Sequence, residues 1–243
     1  MGELLACRKL SEIVDGLTRL LNDSLRQSEE DYRSLKLGDA EIDHIFRLAD
    51  ALWLHGGDPR KPHALLTSGK HSDGFVDVLR ALKYTPICDL MGALLMQKVT
   101  EHHHKINWVV GSDHAGAVLS YSVALHLAAK HDFTEKGPDK AQVWKRFSIL
   151  PDESVLQVEE LITTTGTLQA VREGIRQAHP YPINFAPVVA TLIHRSDQYE
   201  FQGSPIIYLR HLDIKTWEAD KCPLCAQGSV AIRPKENWAL LTD

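Results

Sequence analysis

At 243 residues, with 44% hydrophobic and 24% charged side chains, the chain has the make-up of one generous globular domain, or of a domain with an extension, and not of a disordered protein. A formal net charge of -5 supplies no basic field for nucleic acid, and no apolar run approaches membrane-spanning length. The 4 cysteines do not make a disulfide scaffold in a chain this long, and charge interrupts the stretch from Met1 to Lys9 too early for a secretory signal, so a reduced, cytoplasmic protein is expected.

Residues 1–55 read as helical. Leu10, Ile13, Leu17 and Leu20/Leu21 share one face, and Ile42, Ile45/Phe46, Ala49 and Leu52/Trp53 share another, with Asp39 placed to cap the second helix. The first helix carries no chemical motif, and its apolar face suits packing or a dimer contact. Two short apolar segments separated by Ser68-Gly69 and Asp73-Gly74 then predict a β-hairpin over 63–77, unusual in carrying clustered Ser, Lys, His and Asp.

Pro86 opens a helix that buries Ile87, Leu90/Met91 and Leu94/Leu95. It ends at His102-His103-His104, which reads as a solvated terminus where cations favour the helix dipole. Ile106 to Gly111 is a buried strand, Ser112-Asp113-His114-Ala115-Gly116 a small-residue loop, and Ala117 to about Lys130 a helix. Residues 131–142 form a polar insertion of the kind that often carries function, running into an alternating strand from Val143 to Ile149.

The stretch around which the rest is organised is Val155 to Thr167. A short apolar strand ends in Glu159-Glu160-Leu161-Ile162, followed by Thr163-Thr164-Thr165-Gly166-Thr167 and a helix from Leu168 to Ile175. A strand that feeds small hydroxyl residues into a helix N-terminus is suited to an anion, because unpaired N–H groups converge where the dipole is positive. Two acids beside such a cradle suit sugar hydroxyls, or a divalent metal riding on phosphates. Further core strands are expected at 183–193, ending in His194-Arg195, and at 205–210. Cys222-Pro223-Leu224-Cys225 supplies half of a tetrahedral zinc site, and Cys7 and Cys88 show no partner spacing. The expectation is therefore structural thiols without a tightly bound metal.

The stretch 159–167 resembles the ribose-phosphate signature of the type I phosphoribosyltransferases, with Glu160 where Asp is usual and Thr165 where Gly or Ala is usual. Within that family, Leu66-Thr67-Ser68-Gly69-Lys70-His71-Ser72 with Phe75 resembles the N-terminal hairpin of orotate phosphoribosyltransferases. Phe133-Thr134-Glu135-Lys136 ahead of Lys145-Arg146-Phe147 is similar to their mobile loop, and Cys-Pro-Leu-Cys to the tail of one bacterial branch. Gly111 and Gly116 match the pyrophosphate loop, whereas Ser112, Asp113 and His114 depart from its usual wording.

The resemblance implies an α/β fold: a mostly parallel sheet with helices on both faces, a small hood, and an N-terminal helical extension over 1–40. The phosphoribosyltransferase domain then covers 41–243, with the hood formed from about 41–85 plus the C-terminal segment. It also implies a homodimer using Mg²⁺ that transfers phosphoribosyl from phosphoribosyl diphosphate to orotate. Glu159 and Glu160 are expected to hold ribose hydroxyls, and Gly111, Ser112, Asp113 and residues 161–167 (Leu161, Ile162, Thr163, Thr164, Thr165, Gly166, Thr167) to hold the phosphates. Lys136, more than Lys140, is the expected loop cation, with Arg146 a surface charge on the following strand. Ser68, Lys70, Phe75, Thr163 and Arg195 are expected to meet orotate. No metal ligand is assigned. Two other functions stay open: transfer to another nucleobase, and a regulator on a degenerate form of the fold that binds nucleotide without turnover.

Overall fold

The computed structural model describes residues 6–24, 36–102 and 105–242. Part of the expected N-terminal extension, and His103 and His104 of the histidine run, lie outside the described residues. Helix α1 (Leu10–Ser24) buries Ile13 and Leu17 in the main core, so this part of its apolar face packs within the chain, while Leu20 is exposed. Helix α2 (Asp39–Leu48) buries Ile42, Ile45 and Phe46. The cap lies one residue earlier than the sequence suggests: Gly38 holds the position, and its N–H donates to Glu41 Oε2 at 2.8 Å.

Strands β1 (Leu52–Leu54), β2 (His63–Leu65), β3 (His71–Ser72) and β4 (Gly74–Val76) follow. β2 pairs antiparallel with β3, as the hairpin reading requires, while β4 pairs antiparallel with β1. Helices α3 (Val78–Leu82) and α4 (Thr85–Thr100) come next, with Pro86 in the first turn of α4, where a missing N–H costs little.

The chain then alternates through β5 (Trp108–Gly111), α5 (Ala115–Leu127), β6 (Lys130–Phe133), β7 (Glu135–Lys136), β8 (Gln142–Val143), β9 (Ser154–Ile162), α6 (Gly166–Gln177), β10 (Asn184–His194), β11 (Glu200–Phe201) and β12 (Ser204–His211). The central sheet has the order β11-β12-β10-β9-β5-β6 and is parallel except at its β11–β12 edge. Successive strand residues point to opposite faces. Val109, Leu156, Val158, Ala190 and Leu192 therefore join the core with α1, α2, α4 and α5. Trp108, Val110 and Val155 pack on Val171 and Ile175 of α6. This is the expected α/β layering, with helices on both faces.

Three expected elements differ. The helical reading that carried Leu52/Trp53 on the face of the second helix is corrected: α2 stops at Leu48, and Leu52–Leu54 is drawn into antiparallel pairing with Gly74–Val76 as β1. The helix read as running to Lys130 stops at Leu127, because Ala128 takes a left-handed conformation (φ 50°) and the chain re-enters the sheet as β6. The alternating strand read over 143–149 contributes only the short arm β8. Beyond it, Trp144 and Ile149 are buried against Trp108 and α6, so this segment is fixed by side-chain packing and not by a ladder.

Past the sheet, β13 (Thr216–Trp217), α7 (Pro223–Ala226), β14 (Ala231–Ile232) and α8 (Trp238–Thr242) return to the N-terminal hairpin. They complete a small sheet of order β13-β3-β2-β14, and Trp53 Nε1 donates to the Leu241 carbonyl at 2.7 Å. The N-terminal hairpin and the C-terminal segment thus build one hood. Among the described residues, no helix is long and apolar enough to cross a membrane.

Candidate active site

β5 and β9 are neighbours in the parallel sheet, so the loops that leave their C-terminal ends open on the same edge. The first loop is held tight by two glycines. A Cβ on Gly111 would lie 2.3 Å from the Gly116 carbonyl oxygen, and one on Gly116 would lie 2.6 Å from Ser112 Oγ and 3.1 Å from Glu159 Oε2. Only a bare backbone lets the start of α5 come this close to the acids of β9. At the loop's tip, His114 carries a left-handed backbone (φ 62°) that a side chain ordinarily avoids, a strain typical of ligand loops.

The acids differ sharply in environment. Glu159 is 2% exposed, and its Oε2 accepts from Ser112 Oγ at 2.6 Å. Burial, reinforced by the neighbouring Glu160, pushes the Glu159 carboxyl up to about 8, so it holds a proton at neutral pH. Burial also raises Glu160, and the charge of Asp113 adds to that. Glu159 Oε1 and Glu160 Oε2 are buried with no hydrogen-bond partner among the described residues. Asp113 goes the other way: burial opposes its charge, but hydrogen bonds from His114, Gln142 and Lys136 outweigh that and hold it below the usual range. Two carboxyl groups, each with an idle buried oxygen, beside an ionised Asp113 leave room for hydroxyl donors or a cation.

The second loop is open to solvent: Thr163, Thr164 and Thr167 are exposed, while Ile162 and Leu168 anchor its two ends in a buried cluster. Thr165 sits at φ -83°, so its side chain meets no backbone penalty where Gly or Ala is usual. Gly166 starts α6, whose first-turn N–H groups have no acceptor within the helix.

The short β7–β8 hairpin places Lys136 over the first loop, with Nζ 3.3 Å from Asp113 Oδ2 and the side chain 68% exposed. Gln142 braces this arrangement. Its Nε2 donates to Asp113 Oδ1 at 3.4 Å, and its Oε1 accepts from Thr134 Oγ1 at 2.8 Å. The hairpin rests directly on α6: a Cβ on Gly174 would lie 2.0 Å from the Gln142 carbonyl oxygen. Arg146 is a surface charge as expected, but on an irregular segment, where it pairs with Glu135 and lies 3.7 Å from Asp132. The Lys140 side chain lies outside the described residues.

Facing the loops, a cleft of about 280 Å³ separates the hood from the sheet edge. Thr67, Phe75 and Val76 line it from the hood, Ala115 from α5, Glu160 and Leu161 from β9, and Lys235 from the C-terminal segment. Phe75 also packs edge-on against Trp238, with ring centres 6.2 Å apart. Ser68 and Lys70 stand apart from this cleft. They occupy the exposed β2–β3 turn around Gly69 (φ 85°), and Lys70 Nζ pairs with Glu218 at 2.9 Å.

Arg195 follows β10, and its N–H donates to the Ile162 carbonyl at 2.8 Å, which ties it to the base of the threonine loop. Its Nε is buried without a hydrogen-bond partner among the described residues; burial disfavours its charge, and Asp73 of the hood favours it. Gln142, as the brace of Asp113, carries no sequence signal of its own, and Lys235 is visible in the sequence only as part of the tail. The expectation that Cys222 and Cys225 lack further ligands is corrected. His63 and His71 converge on them, and the donor atoms of all four lie within 4.8 Å of one another. Separations of 159 and 162 residues hide the contacts of His63 with the two cysteines from any spacing rule.

No family model matches the chain. The orotate phosphoribosyltransferase of Caldanaerobacter subterraneus subsp. tengcongensis is 32% identical over 174 residues, covering 72% of this chain and 88% of that one. Its counterpart in Thermotoga maritima is 32% identical over 172 residues, covering 71% and 89%. Among solved structures, orotate phosphoribosyltransferase from Aeropyrum pernix superposes with a TM-score of 0.54 at 18% identity, covering 70% of this chain and 93% of that one. The enzyme from Mycobacterium tuberculosis H37Rv, in complex with Fe(III) dicitrate, gives 0.51 at 19%, covering 68% and 91%. The structural likenesses show the type I phosphoribosyltransferase fold. With relatives 32% identical over most of both chains, the protein belongs to the orotate phosphoribosyltransferase family.

Proposed function

We propose that the protein transfers phosphoribosyl from phosphoribosyl diphosphate to orotate, giving orotidine 5′-phosphate and pyrophosphate. The observation that carries this reading is the acid pair of buried Glu159 and half-buried Glu160, each with a buried oxygen that has no hydrogen-bond partner among the described residues, between two small-residue loops at one sheet edge. As the bond from ribose C1′ to pyrophosphate breaks, C1′ becomes cationic, and the protein's task is to position the reactants and stabilise the departing charge. Glu159 and Glu160 hold the ribose hydroxyls. The amides and hydroxyls of Thr163 to Thr167 cradle the 5′-phosphate. Lys136, on its hairpin above Ser112 and Asp113, meets the pyrophosphate. Phe75 packs on the pyrimidine, and the guanidinium of Arg195 receives the orotate carboxylate.

A Mg²⁺ ion fits the donor set. Asp113 and Glu160 offer hard oxygens, one carboxylate already ionised and the other with an idle buried oxygen, and the ion would neutralise charge on the diphosphate. The family reading also places the protein in the cytoplasm. A homodimer is supported by an exposed apolar face on α5, where Val118, Tyr121 and Leu125 stand 42%, 59% and 60% exposed.

Orotate differs from uracil by one carboxylate, and a guanidinium meets that group with two parallel charged hydrogen bonds. Arg195→Ala is therefore expected to lower kcat/KM for orotate ten- to a hundred-fold, from an interaction of about 1.5–3 kcal/mol. Binding of phosphoribosyl diphosphate should change much less. The check is orotate saturation kinetics and diphosphate binding beside the parent. Equal orotate kinetics in the variant, or a parent that prefers uracil or a purine, refutes the base assignment. Binding of the diphosphate without turnover of any base refutes the catalytic reading.

A further inference from the structure

The hood holds a second cluster of reactive side chains that the transfer reaction does not use. His63 lies on β2 and His71 on β3, and the strands are antiparallel partners, so both rings stand on one small sheet. Cys222 and Cys225 flank the first turn of α7, which Pro223 opens and Gly228 (φ 96°) closes, so both sulfurs are carried on one short turn laid against that sheet.

The four donor atoms form a compact polyhedron. His63 Nε2 lies 3.5 Å from Cys222 Sγ, 3.5 Å from Cys225 Sγ and 3.0 Å from His71 Nδ1, and Cys225 Sγ lies 3.3 Å from His71 Nδ1. A tetrahedral zinc with two thiolates at ~2.3 Å and two imidazoles at ~2.0–2.1 Å has S···N edges of about 3.5 Å and an N···N edge of about 3.3 Å. The observed edges match those lengths to within a few tenths of an ångström, the order of adjustment a bound ion imposes.

Hydrogen bonding fixes the tautomer of one ligand. Ser229 Oγ donates its single hydrogen to the Lys61 carbonyl at 2.6 Å, so its contact with His63 Nδ1 at 2.8 Å must be an N–H donated by the ring. The proton on Nδ1 leaves a lone pair on Nε2, the atom that faces both cysteines and His71. An outer partner that orients a ligating histidine in this way is the usual companion of a metal site. Cys222, His63 and His71 are buried, whereas Cys225 is exposed and gives an ion a way in. All the cysteines among the described residues are free thiols.

We propose that His63, His71, Cys222 and Cys225 bind one zinc ion, which fastens the C-terminal segment to the β2–β3 hairpin of the hood. Mixed thiolate and imidazole donors in a tetrahedron select zinc over the hard Mg²⁺ of the transfer reaction, and a closed set of four protein ligands marks a structural ion with no open position. The ion sits at the root of the hairpin whose turn carries Ser68 and Lys70, and in the same hood sheet that β14 completes ahead of Lys235.

The test uses the full chain, untagged, purified under reducing conditions without added metal. Elemental analysis is expected to find about one zinc per chain, falling below about a tenth in Cys222→Ser/Cys225→Ser. Because loss of the ion can itself unfold that variant, a second measurement uses the parent chain alone. Zinc is stripped with a chelator and Co²⁺ is titrated in, with the fold followed by circular dichroism. One-to-one saturation with tetrahedral ligand-field bands and thiolate charge-transfer bands is expected, together with recovery of thermal stability lost on stripping. His71→Asn, which keeps a similar volume but loses the ring donor, should weaken Co²⁺ binding at least ten-fold. The proposal is overturned if the reduced parent carries no zinc and takes up no Co²⁺. It is equally overturned if two chains share one ion through thiolates alone, or if His71→Asn binds Co²⁺ as tightly as the parent.

Discussion

At the residue scale, the acid pair is where the free protein and its ligand pull in opposite directions. Glu159 is buried on β9 beside Glu160, and hydrogen bonds such as that from Ser112 Oγ do not offset its burial, so its carboxyl is pushed up to about 8 and in the free protein a proton is its cheapest companion. A raised folded-state value means that the native chain binds a proton the unfolded chain has lost. Stability therefore falls as pH rises from the ordinary carboxylate range towards 8, by at most about 1.4 kcal/mol per pH unit. Glu159→Gln keeps the shape and cannot ionise, so it should unfold at nearly the parent's temperature at pH 5 and several degrees above it at pH 8.5. Parallel melting curves across that range would sink the assignment of a protonated, buried Glu159. The same proton should be released when ribose hydroxyls or a cation take its place, which calorimetry in buffers of different ionisation enthalpy would record.

At the scale of elements, the most revealing contact is the seat of the β7–β8 hairpin on α6. Gly174 faces the Gln142 backbone, where a Cβ would come within 2.0 Å of the carbonyl oxygen, and Gln142 in turn braces Asp113. Gly174→Ala must push the hairpin off the helix, at a cost of about 1–3 kcal/mol for overpacking, and loosen Gln142 from Asp113. Lys136→Ala removes an exposed side chain and leaves that seat intact. The first variant should therefore lose both thermal stability and turnover, and the second turnover alone. A stable, fully active Gly174→Ala would show that the hairpin's seat is irrelevant to catalysis.

This contrast also marks what the sequence could reveal. The loops after β5 and β9 were legible because each is a local strand, small-residue turn and helix start, with the chemistry inside a dozen consecutive residues. The 131–149 region was misread because two forces outside the window decide it. Pairing of β6 with β5 turns Lys130–Phe133 into sheet, and burial of Trp144 and Ile149 overrides an alternating pattern. Likewise, the Cys-x-x-Cys was visible and its histidine partners were not, since only the hood's tertiary pairing of β2, β3 and α7 brings His63 and His71 beside it. Arg195 stands directly after β10, where the strand-end reading puts it, but nothing in the sequence foretells that Asp73 of the hood shares its surroundings.

At the scale of the whole molecule, α5 turns an apolar face to solvent among the described residues. Val118, Tyr121 and Leu125 recur at helical spacing along α5, all with more than 40% of their surface in water. They border a groove of about 820 Å³ that Leu82, Pro86 and Phe133 also line. A run of large apolar side chains beside such a groove is the kind of exposed patch that marks an interaction surface. The patch lies on the helix that begins at the first phosphate-type loop, and Phe133 sits two residues before the β7–β8 hairpin. A second copy docked there would bear on both active-site loops as well as on solubility. Two charges on this helix face, Tyr121→Glu with Leu125→Glu, touch none of the residues placed in the site. The parent should therefore elute with a scattering mass of about twice 27.3 kDa, and the double variant near 27.3 kDa with its circular dichroism unchanged. If docking also steadies the loops, the monomeric variant should show a raised KM for phosphoribosyl diphosphate that high protein concentration does not repair. A parent that is monomeric at micromolar concentration, or a double variant that still dimerises, would exclude this face as the interface.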